Sequence, residues 1–373
     1  MSSRSGMPSR PVPVYTRIDP DRPGFPPGPM NLVLALALTV VCLGGETFFH
    51  TPRAYLGERA FSLNLSDERV ANGHTLLLQC IPDGPDMEAG RNPGEEAGRE
   101  TDLPVEQVDL AGPAGRATDL TVSTGARIHS LYPHPTAPEG VLFALIGIPY
   151  RAAPGPDTVH VEWTESDRIF DRKLLFTIVA GPYRSEQIRG VPQSRVTPSV
   201  TDFRRIAREQ KIIAAAYEAV RDTVMMEDTF RYPVEKKTIT SPYGTRRVFN
   251  GQLRSYHGGL DLRAYEGTPL YAAQSGVVKL AQNLFYSGNH VLIEHGMGIH
   301  TGYSHMSRLY VKTGDEVSRG QLLGLSGATG RVTAAHLHWT VSVDGVGVSP
   351  LQFTEVLAKL YKKPVEVRKP NDG

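Results

Sequence analysis

Short apolar runs separated by glycine-rich turns dominate the chain after Thr238, and they most strongly constrain its fold. Between that residue and Pro350 there is barely a window with helical spacing. The strand-sized runs are Leu270–Ala273, Gly276–Ala281, His290–His295, Ile299–His305, Gln321–Leu325 and His336–Val343. Runs of this length, bounded by glycine, are typical of β-strands joined by tight turns. The pattern predicts an antiparallel β domain of roughly 120 residues.

A second group of strand patterns lies between residues 60 and 180. It comprises Thr75–Ile81, Val141–Ile148, Thr158–Trp163 and Lys173–Val179. In the third run Val159, Val161 and Trp163 alternate with polar residues, as expected for a strand buried on one face. His160, between them, is expected on the exposed face rather than at a metal. Six or seven such strands predict an N-terminal immunoglobulin-like β-sandwich over residues 47–195, in a chain that is mainly β.

Two further segments interrupt or link these β regions. Residues 83–118 are rich in glycine, proline, glutamate and alanine, which predicts a disordered insertion because little apolar surface can be buried. Residues 196–235 form a predicted helical linker, with a helix from about Val200 to Val224 that Thr201 or Ser199 can cap. Its apolar positions are Phe203, Ile206, Ile213, Tyr217 and Val220. We expect this helix to pack between the two β regions.

Charge and cysteine content argue against two kinds of site. The 40 Lys and Arg residues nearly balance the 39 Asp and Glu residues, which leaves a net charge of +1. Nucleic-acid binders usually carry a marked basic excess, so no nucleic-acid partner is expected. The two cysteines, Cys42 and Cys80, support neither a disulfide framework nor a cysteine-based metal site.

A hydrophobic segment near the N-terminus predicts export. Leu32–Leu43 is twelve residues long and only Thr39 in it is polar. A membrane-spanning helix needs about 20 residues, whereas this length matches the apolar region of a signal peptide. Residues 30–46 are therefore predicted to be a signal peptide or membrane anchor behind a Pro/Arg-rich tail at residues 1–29, and translation could also start at Met7 or Met30. The expected location is the periplasm or cell envelope, with cleavage or anchoring to the inner membrane left open.

Seven of the twelve histidines fall between residues 257 and 338. Alternate side chains of a strand face the same way, so His336 and His338 are predicted to share one face. Two adjacent imidazoles make poor core material, because each ring needs a hydrogen-bond partner. His257 and Asp261 are separated by Gly258-Gly259-Leu260, and the two glycines allow a tight turn that brings imidazole and carboxylate together.

A His/Asp/His set with a free position is the open form of a zinc site, which is typical of enzymes. Such a site lowers the pKa of its bound water from 15.7 to about 7, so that hydroxide is available at neutral pH. His305 lies one strand before the His-x-His pair and could reach the same cleft.

The spacing His257-x3-Asp261 with His336-x-His338 resembles the signature of the lysostaphin/LytM-type zinc metallopeptidases, which cut peptidoglycan cross-bridges. Further sequence segments also resemble the family and occur in the same order along the chain: Ser241–Arg247, Gly267–Ala273, Gly276–Val278, Gly302–Met306, Gly314–Gly324 and Gly327–Arg331. The resemblance covers residues 236–353. It implies a zinc metallopeptidase domain at residues 236–360 with a duplicated-hybrid-motif-like fold, followed by a tail at residues 361–373. A weaker resemblance links Ala144–Pro149 to the β domain that precedes the peptidase domain in many exported bacterial members.

The resemblance also implies roles for individual residues. His257, Asp261 and His338 would bind one Zn2+ per chain. His336 would be a catalytic base or would orient water, and His305 would polarise water or stabilise the oxyanion. Which of these two takes the proton stays open at this stage.

Other polar residues of the region receive less specific expectations. His290, His295 and His300 match no ligand position and are expected on strand surfaces or in turns. Arg331 precedes His336 in a loop and has two equally weighted interpretations, contact with substrate or a structural role.

The function implied is that of an exported zinc-dependent endopeptidase acting on peptidoglycan, with D,D-cross-links favoured and glycine bridges as the second candidate. Candidate partners beyond peptidoglycan are cell-wall or divisome regulators. The main alternative is a non-catalytic LytM-type activator of cell-wall amidases, although such proteins lack some zinc ligands. Gly314–Gly324 also resembles lipoyl/biotinyl-type hairpins, but no lysine occupies its tip. The N-terminal β region could separately bind the wall or act as a scaffold.

Overall fold

The computed structural model describes residues 61–82, 117–137, 140–165, 168–188, 198–218, 224–249 and 252–362. The predicted N-terminal tail, the export segment at residues 30–46, and nearly all of the 83–118 insertion and the 361–373 tail lie outside these ranges. Within them the chain is mainly β, with 22 strands and two helices. Neither of these helices combines the length and the hydropathy that crossing a membrane requires.

Nine strands of the described N-terminal part form two sheets. They are β1 (Phe61–Leu65), β2 (Arg69–Ala71), β3 (Thr75–Pro82), β4 (Ala117–Thr124), β5 (Arg127–His129), β6 (Tyr132–Pro133), β7 (Leu142–Gly147), β8 (Gly155–Glu165) and β9 (Arg168–Val179). The strand orders are β1-β3-β7-β6 and β2-β9-β8-β4-β5. Residues of both sheets, among them Leu76, Ile146 and Val159, share one apolar core. This part of the chain therefore holds more strands than the six or seven expected.

The predicted alternation along β8 is present in the structure. Val159, Val161 and Trp163 are buried, and His160 between them is partly exposed. Burial on one face is the physical reason for the period of two, because successive side chains of a strand point to opposite faces of the sheet.

The C-terminal part is built on one large sheet. Its strands are β11 (Ile239–Ser241), β14 (Leu260–Leu262), β15 (Pro269–Tyr271), β16 (Gly276–Leu284), β17 (Gly288–Glu294), β18 (Ile299–Leu309), β19 (Glu316–Val317), β20 (Leu322–Ser326), β21 (Leu337–Val343) and β22 (Val346–Val348). The main path runs β11-β14-β21-β18-β17-β16-β19, and its pairs are antiparallel, as predicted. A smaller sheet joins β10 (Ser185–Ile188) in parallel to β12 (Arg246–Phe249), which pairs with β13 (Gln252–Tyr256).

Helix α1 (Val200–Glu218) forms where a helix was predicted but packs elsewhere. Ser199 caps it, since its hydroxyl accepts a hydrogen bond from the Asp202 amide at 3.2 Å and Asp202 accepts one in return from the Ser199 amide. Its apolar side packs on the large sheet. The residues in this contact are Ile213, Ala216 and Tyr217 of the helix and Leu280, Leu284 and Leu292 of β16 and β17. The expectation that α1 lies between the two β regions was wrong.

A second helix, α2 (Pro350–Tyr361), occupies the position between the two β regions. Its buried residues join a core that contains Leu77, Phe143 and Leu145 from the N-terminal strands as well as Trp339 and Val341 from β21. The Gln352 side chain donates to the Thr75 carbonyl and accepts from the Thr75 amide, both at 2.8 Å. This helix was not predicted. It joins one face of the N-terminal strands to the core of the large sheet.

Candidate metal centre

Cross-strand pairing brings Asp261 and His338 together. Strands β14 and β21 are antiparallel, and Asp261 lies directly opposite His338. Their neighbours Leu260, Leu262 and Trp339 point into the core, where each is almost fully buried. Because side chains alternate along a strand, burial of these apolar neighbours forces the carboxylate and the imidazole onto the other face of the sheet.

His257 enters the same cluster from the turn before β14. Backbone hydrogen bonds hold this turn: the His257 amide donates to Thr245, and the His257 carbonyl accepts from Gly244, both at 2.8 Å. The ring nitrogen Nδ1 donates to the Pro242 carbonyl at 2.9 Å. A carbonyl can only accept, so the neutral ring carries its proton on Nδ1 and leaves a lone pair on Nε2.

Three atoms that could ligate a metal converge at the centre of the cluster. His257 Nε2 lies 2.8 Å from Asp261 Oδ1 and 2.9 Å from His338 Nδ1, and the latter is 2.7 Å from Asp261 Oδ1. Burial lowers the pKa of His257 to about 4, although Asp261 opposes this shift. Burial would raise the pKa of Asp261, but its interactions with His257 and His338 hold it well below its usual range. The cluster at neutral pH is therefore a carboxylate facing a neutral imidazole.

This arrangement fits a divalent metal ion. The lone pair of His257 Nε2 and the negative oxygen of Asp261 are two acceptors in contact, and they repel each other unless a cation or a proton lies between them. Two imidazole nitrogens and one carboxylate oxygen are the ligand types of open zinc sites. Among the described residues, His257, Asp261 and His338 are the group of this kind whose ligand atoms lie within 4.8 Å of one another.

The two predicted auxiliary histidines lie beside this group. The ring centroid of His305 is 5.0 Å from that of His336 and 5.8 Å from that of His338. His305 donates from Nδ1 to the Thr329 carbonyl and His336 donates from Nδ1 to the Ala334 carbonyl, each at 2.9 Å. Both rings are thereby held in the tautomer that leaves Nε2 free to accept a proton. His336 Nε2 is 3.6 Å from Asp261 Oδ1.

The backbone at His305 has an unusual conformation. Its φ is +66°, in the left-handed region that residues other than glycine seldom adopt. Near this residue the register of β18 shifts against two neighbouring strands, β17 and β20. An irregularity of this kind re-aims a side chain, and here it accompanies the contact of the His305 ring with the cluster. Burial, followed by the nearby charges of His338 and His336, lowers the pKa of His305 to about 3.

Sequence reasoning missed one residue of the cluster, Arg247. Its Nη2 atom donates to Asp261 Oδ2 at 3.0 Å, on the side of the carboxylate away from the histidines. The contact directs Oδ1 towards the other donors and supports the charged form of the acid. Arg247 stands in the Ser241–Arg247 phrase, but that phrase alone does not show that the side chain reaches Asp261.

Two of the three remaining histidines, His295 and His300, differ from expectation because they are buried rather than exposed on strand surfaces or in turns. His295 and His300 are 0% and 1% exposed. His295 donates from Nδ1 to the Ser275 carbonyl at 2.7 Å, and its Nε2 lies 2.7 Å from the Thr301 hydroxyl. His290 is partly buried and bonds to Ser304 at 3.0 Å on the strand next to His338. Both ring nitrogens of His295 have partners, whereas His300 contacts the Gly298 carbonyl through Nδ1 at 3.3 Å and its buried Nε2 has no partner among the described residues. Hydropathy patterns do not reveal such contacts.

The buried histidines predict a loss of stability in acid. Burial lowers the pKa of His295 to about 4 and that of His300 to about 3, against an unfolded value near 6.5. Below that value the unfolded chain binds protons that the folded chain excludes, so stability falls as the pH falls. Each ring should cost about 2 kcal/mol of unfolding free energy between pH 7 and pH 5. Urea denaturation at the two pH values measures this loss.

His300→Phe provides the comparison for that measurement. The variant keeps the ring contact with Tyr217, whose centroid is 4.8 Å away, and removes the titrating group. It should lose about 2 kcal/mol less than the wild type between pH 7 and pH 5. An unchanged dependence on pH would show that His300 takes up protons equally in the folded and the unfolded chain.

The residues that carry this site are similar to those of known proteins. The model of Peptidase family M23 matches residues 255–350. The peptidoglycan DD-endopeptidase ShyA of Vibrio cholerae is 44% identical over 135 residues, which cover 36% of this chain and 31% of that protein. The peptidoglycan DD-endopeptidase ShyC of the same organism is 38% identical over 128 residues, or 34% of this chain and 29% of that protein.

A crystal structure of a Pseudomonas aeruginosa protein described as a peptidase M23 is 27% identical, with a TM-score of 0.49 over 66% of this chain and 90% of that one. The residues aligned with ShyA and ShyC span about a third of the length of those two relatives. The family match includes all five predicted site residues. The part of the chain that carries His257, Asp261 and His338, residues 255–350, is a peptidase family M23 domain.

Proposed function

We propose that the chain is a zinc-dependent endopeptidase that hydrolyses amide bonds in peptidoglycan. The observation that carries this proposal is the convergence of three possible ligand atoms, His257 Nε2, Asp261 Oδ1 and His338 Nδ1, which lie within 2.9 Å of one another. Relatives named peptidoglycan DD-endopeptidases support D,D-cross-links as the substrate. Glycine bridges are the alternative substrate.

In this proposal His257, Asp261 and His338 hold one zinc ion. When bound, zinc supplies Lewis-acid polarisation of the scissile carbonyl and activation of water. Arg247 keeps the Asp261 carboxylate ionised and oriented. His305 and His336 are hydrogen-bonded through Nδ1, and this leaves each Nε2 atom placed to take a proton from water and to return one to the leaving amine.

The proposed chain has an N-terminal β region, a helical linker and a C-terminal peptidase domain. The peptidase domain occupies residues 236–360 and the helical linker residues 196–235. The two N-terminal sheets, which share one core, form an immunoglobulin-like β-sandwich within residues 47–195. We propose that the chain works in the periplasm or cell envelope, with residues 30–46 directing export or serving as an anchor. Cell-wall or divisome regulators are further candidate partners.

Zinc analysis and wall digestion of the purified full-length chain test this function. We expect one zinc ion per chain and conversion of D,D-cross-linked muropeptide dimers into monomers, identified by mass spectrometry. Removing the metal with 1,10-phenanthroline should reduce activity to background, and added Zn2+ should restore it, because the three-ligand site needs its ion for water activation.

Two outcomes would contradict the proposal. A purified chain that holds no zinc would refute the metal site. A zinc-loaded chain that is inert on both D,D-linked and glycine-bridged walls, yet stimulates a purified cell-wall amidase, would favour the activator function instead.

A further inference from the structure

Arg331 lies in a loop that is tied to the candidate site. The loop runs through residues 327–331, and two contacts attach it to the auxiliary histidines. The Thr329 carbonyl accepts from His305 at 2.9 Å, and Gly327 forms a β-bridge with His336. The backbone amide of Arg331 donates to the Tyr286 carbonyl at 2.9 Å. The loop is therefore held in place before any substrate arrives.

Close packing with a second loop fixes this position further. The backbone amide of Asn289 donates to the Thr329 hydroxyl at 2.9 Å. A Cβ atom on Gly288 would lie 2.2 Å from that hydroxyl, and one on Gly330 would lie 2.3 Å from the Gly288 amide nitrogen. Both glycines have positive φ, so the two loops approach each other as only glycine permits.

The guanidinium of Arg331 is supported from one side by an aromatic ring. Its Cζ atom is 4.4 Å from the centroid of Tyr286, a cation–π contact that fixes its orientation. Helix α1 holds the Tyr286 loop in turn, since Glu209 accepts from the Phe285 amide at 2.8 Å and Arg205 donates to Asn283 at 2.9 Å. Arg331 is partly buried in this setting.

No carboxylate of the described residues forms an ion pair with Arg331. Asp202 is close enough to interact electrostatically with Tyr286. Its carboxylate, however, accepts hydrogen bonds from the Ser199 amide and hydroxyl at the N-terminus of α1. Asp261 is engaged by Arg247 and the histidines. Burial lowers the pKa of Arg331, and the charge of Arg247 lowers it further, so the two guanidiniums lie within electrostatic reach of each other.

The charged side chains described around the candidate site thus include more cations than anions. Arg247 and Arg331 contribute two cations, and Asp261 contributes one anion. A partly buried cation without an acidic partner is costly, and a ligand carboxylate would relieve that cost through charge-assisted hydrogen bonds. The planar guanidinium, held over a ring, is suited to bidentate binding of a carboxylate.

We propose that Arg331 binds a free carboxylate of the substrate next to the scissile amide, on the side of the leaving amine. This inference rests on the proposed function and narrows its substrate class. In a direct D,D-cross-link to a diaminodicarboxylic acid, the carbon that bears the leaving nitrogen also bears a carboxylate. In a glycine bridge the corresponding residue has no free carboxylate, because its carboxyl group is part of the next amide bond.

A matched pair of substrates tests the proposal on the zinc-loaded full chain. The first is a D,D-cross-linked muropeptide dimer with that carboxylate free, and the second is the same dimer with the group converted to a primary amide. We expect the wild type to cleave the acid with a kcat/KM at least about tenfold higher. Arg331→Gln should lower kcat/KM for the acid about 10–100-fold, mainly through KM, and leave the amide nearly unchanged.

Arg231→Gln is the matched control. Arg231 is also partly buried, and its Cζ lies 4.9 Å from the Tyr271 ring centroid, but in the described part of the chain no hydrogen bond or ion pair joins its side chain to His305, His336 or His338. Its replacement should leave both substrates unaffected. Equal cleavage of acid and amide by the wild type, or equal losses on both substrates in Arg331→Gln, would overturn the proposal while leaving the endopeptidase function intact.

A binding measurement separates this proposal from the proposed function. The probe is the amine-side muropeptide monomer, as acid and as amide, titrated into the wild type and into Arg331→Gln by calorimetry. Tighter binding of the acid that disappears in Arg331→Gln would support the carboxylate site even if neither dimer were hydrolysed. Equal binding of the two monomers, or binding of neither, would contradict it.

Discussion

Replacing His338 with alanine is expected to remove the zinc ion and to lower the rate of peptidoglycan hydrolysis by at least about a thousandfold. His338 Nδ1 lies 2.7 Å from Asp261 Oδ1 and 2.9 Å from His257 Nε2, so its loss leaves only two protein donors. Two donors do not provide the three-ligand set of a catalytic zinc site. Metal content and muropeptide release, measured on the same preparation, check both parts of this result.

A control variant for this experiment is His160→Ala. His160 lies on β8 of the N-terminal sheet, and its replacement should leave zinc content and hydrolysis at the wild-type level. Retention of zinc and activity by His338→Ala would show that the metal site lies elsewhere. Loss of zinc in His160→Ala would point to general misfolding instead.

Gly259→Ala is expected to disrupt the metal site without removing any donor. A Cβ atom at this position would lie 2.6 Å from the Trp339 carbonyl oxygen and 2.8 Å and 2.9 Å from two atoms of the His338 ring. The carbonyl belongs to the backbone of a buried residue, so the turn before β14 must move away from β21. We expect a loss of about 1–3 kcal/mol in unfolding free energy and at least about a tenfold loss of zinc affinity.

The adjacent glycine supplies the control, since Gly258→Ala should be close to neutral. A Cβ atom at Gly258 would meet nothing within 4 Å, and its backbone is not in the left-handed region. The change in unfolding free energy should stay within about 0.5 kcal/mol, with unchanged zinc affinity. Competition with a chelating dye gives the affinities, and urea denaturation gives the stabilities. Similar losses for the two variants would mean that the turn, rather than contact with His338, limits this position.

The turn between His257 and Asp261 illustrates how far sequence reasoning could go. The sequence showed that two glycines would permit a tight turn, and it assigned the same reason to both. The structure separates them, because the space around a Cβ atom depends on β21, which lies about 80 residues further along the chain. Similarly, the apolar spacing of α1 predicted a helix but not the surface on which it packs.

By itself the sequence determined the β character of the chain and the common direction of the His336 and His338 side chains, both of which lie near Asp261. Both follow from local rules, since a period of two residues sets side-chain direction wherever a strand forms. Only the tertiary structure decided that Arg247 holds Asp261, that His295 and His300 are buried, and that Arg331 lacks a described acidic partner. It also decided which ring nitrogens of His257 and His305 are free, because each depends on a carbonyl contributed by another part of the chain. Such contacts join residues distant in sequence, so no local pattern encodes them.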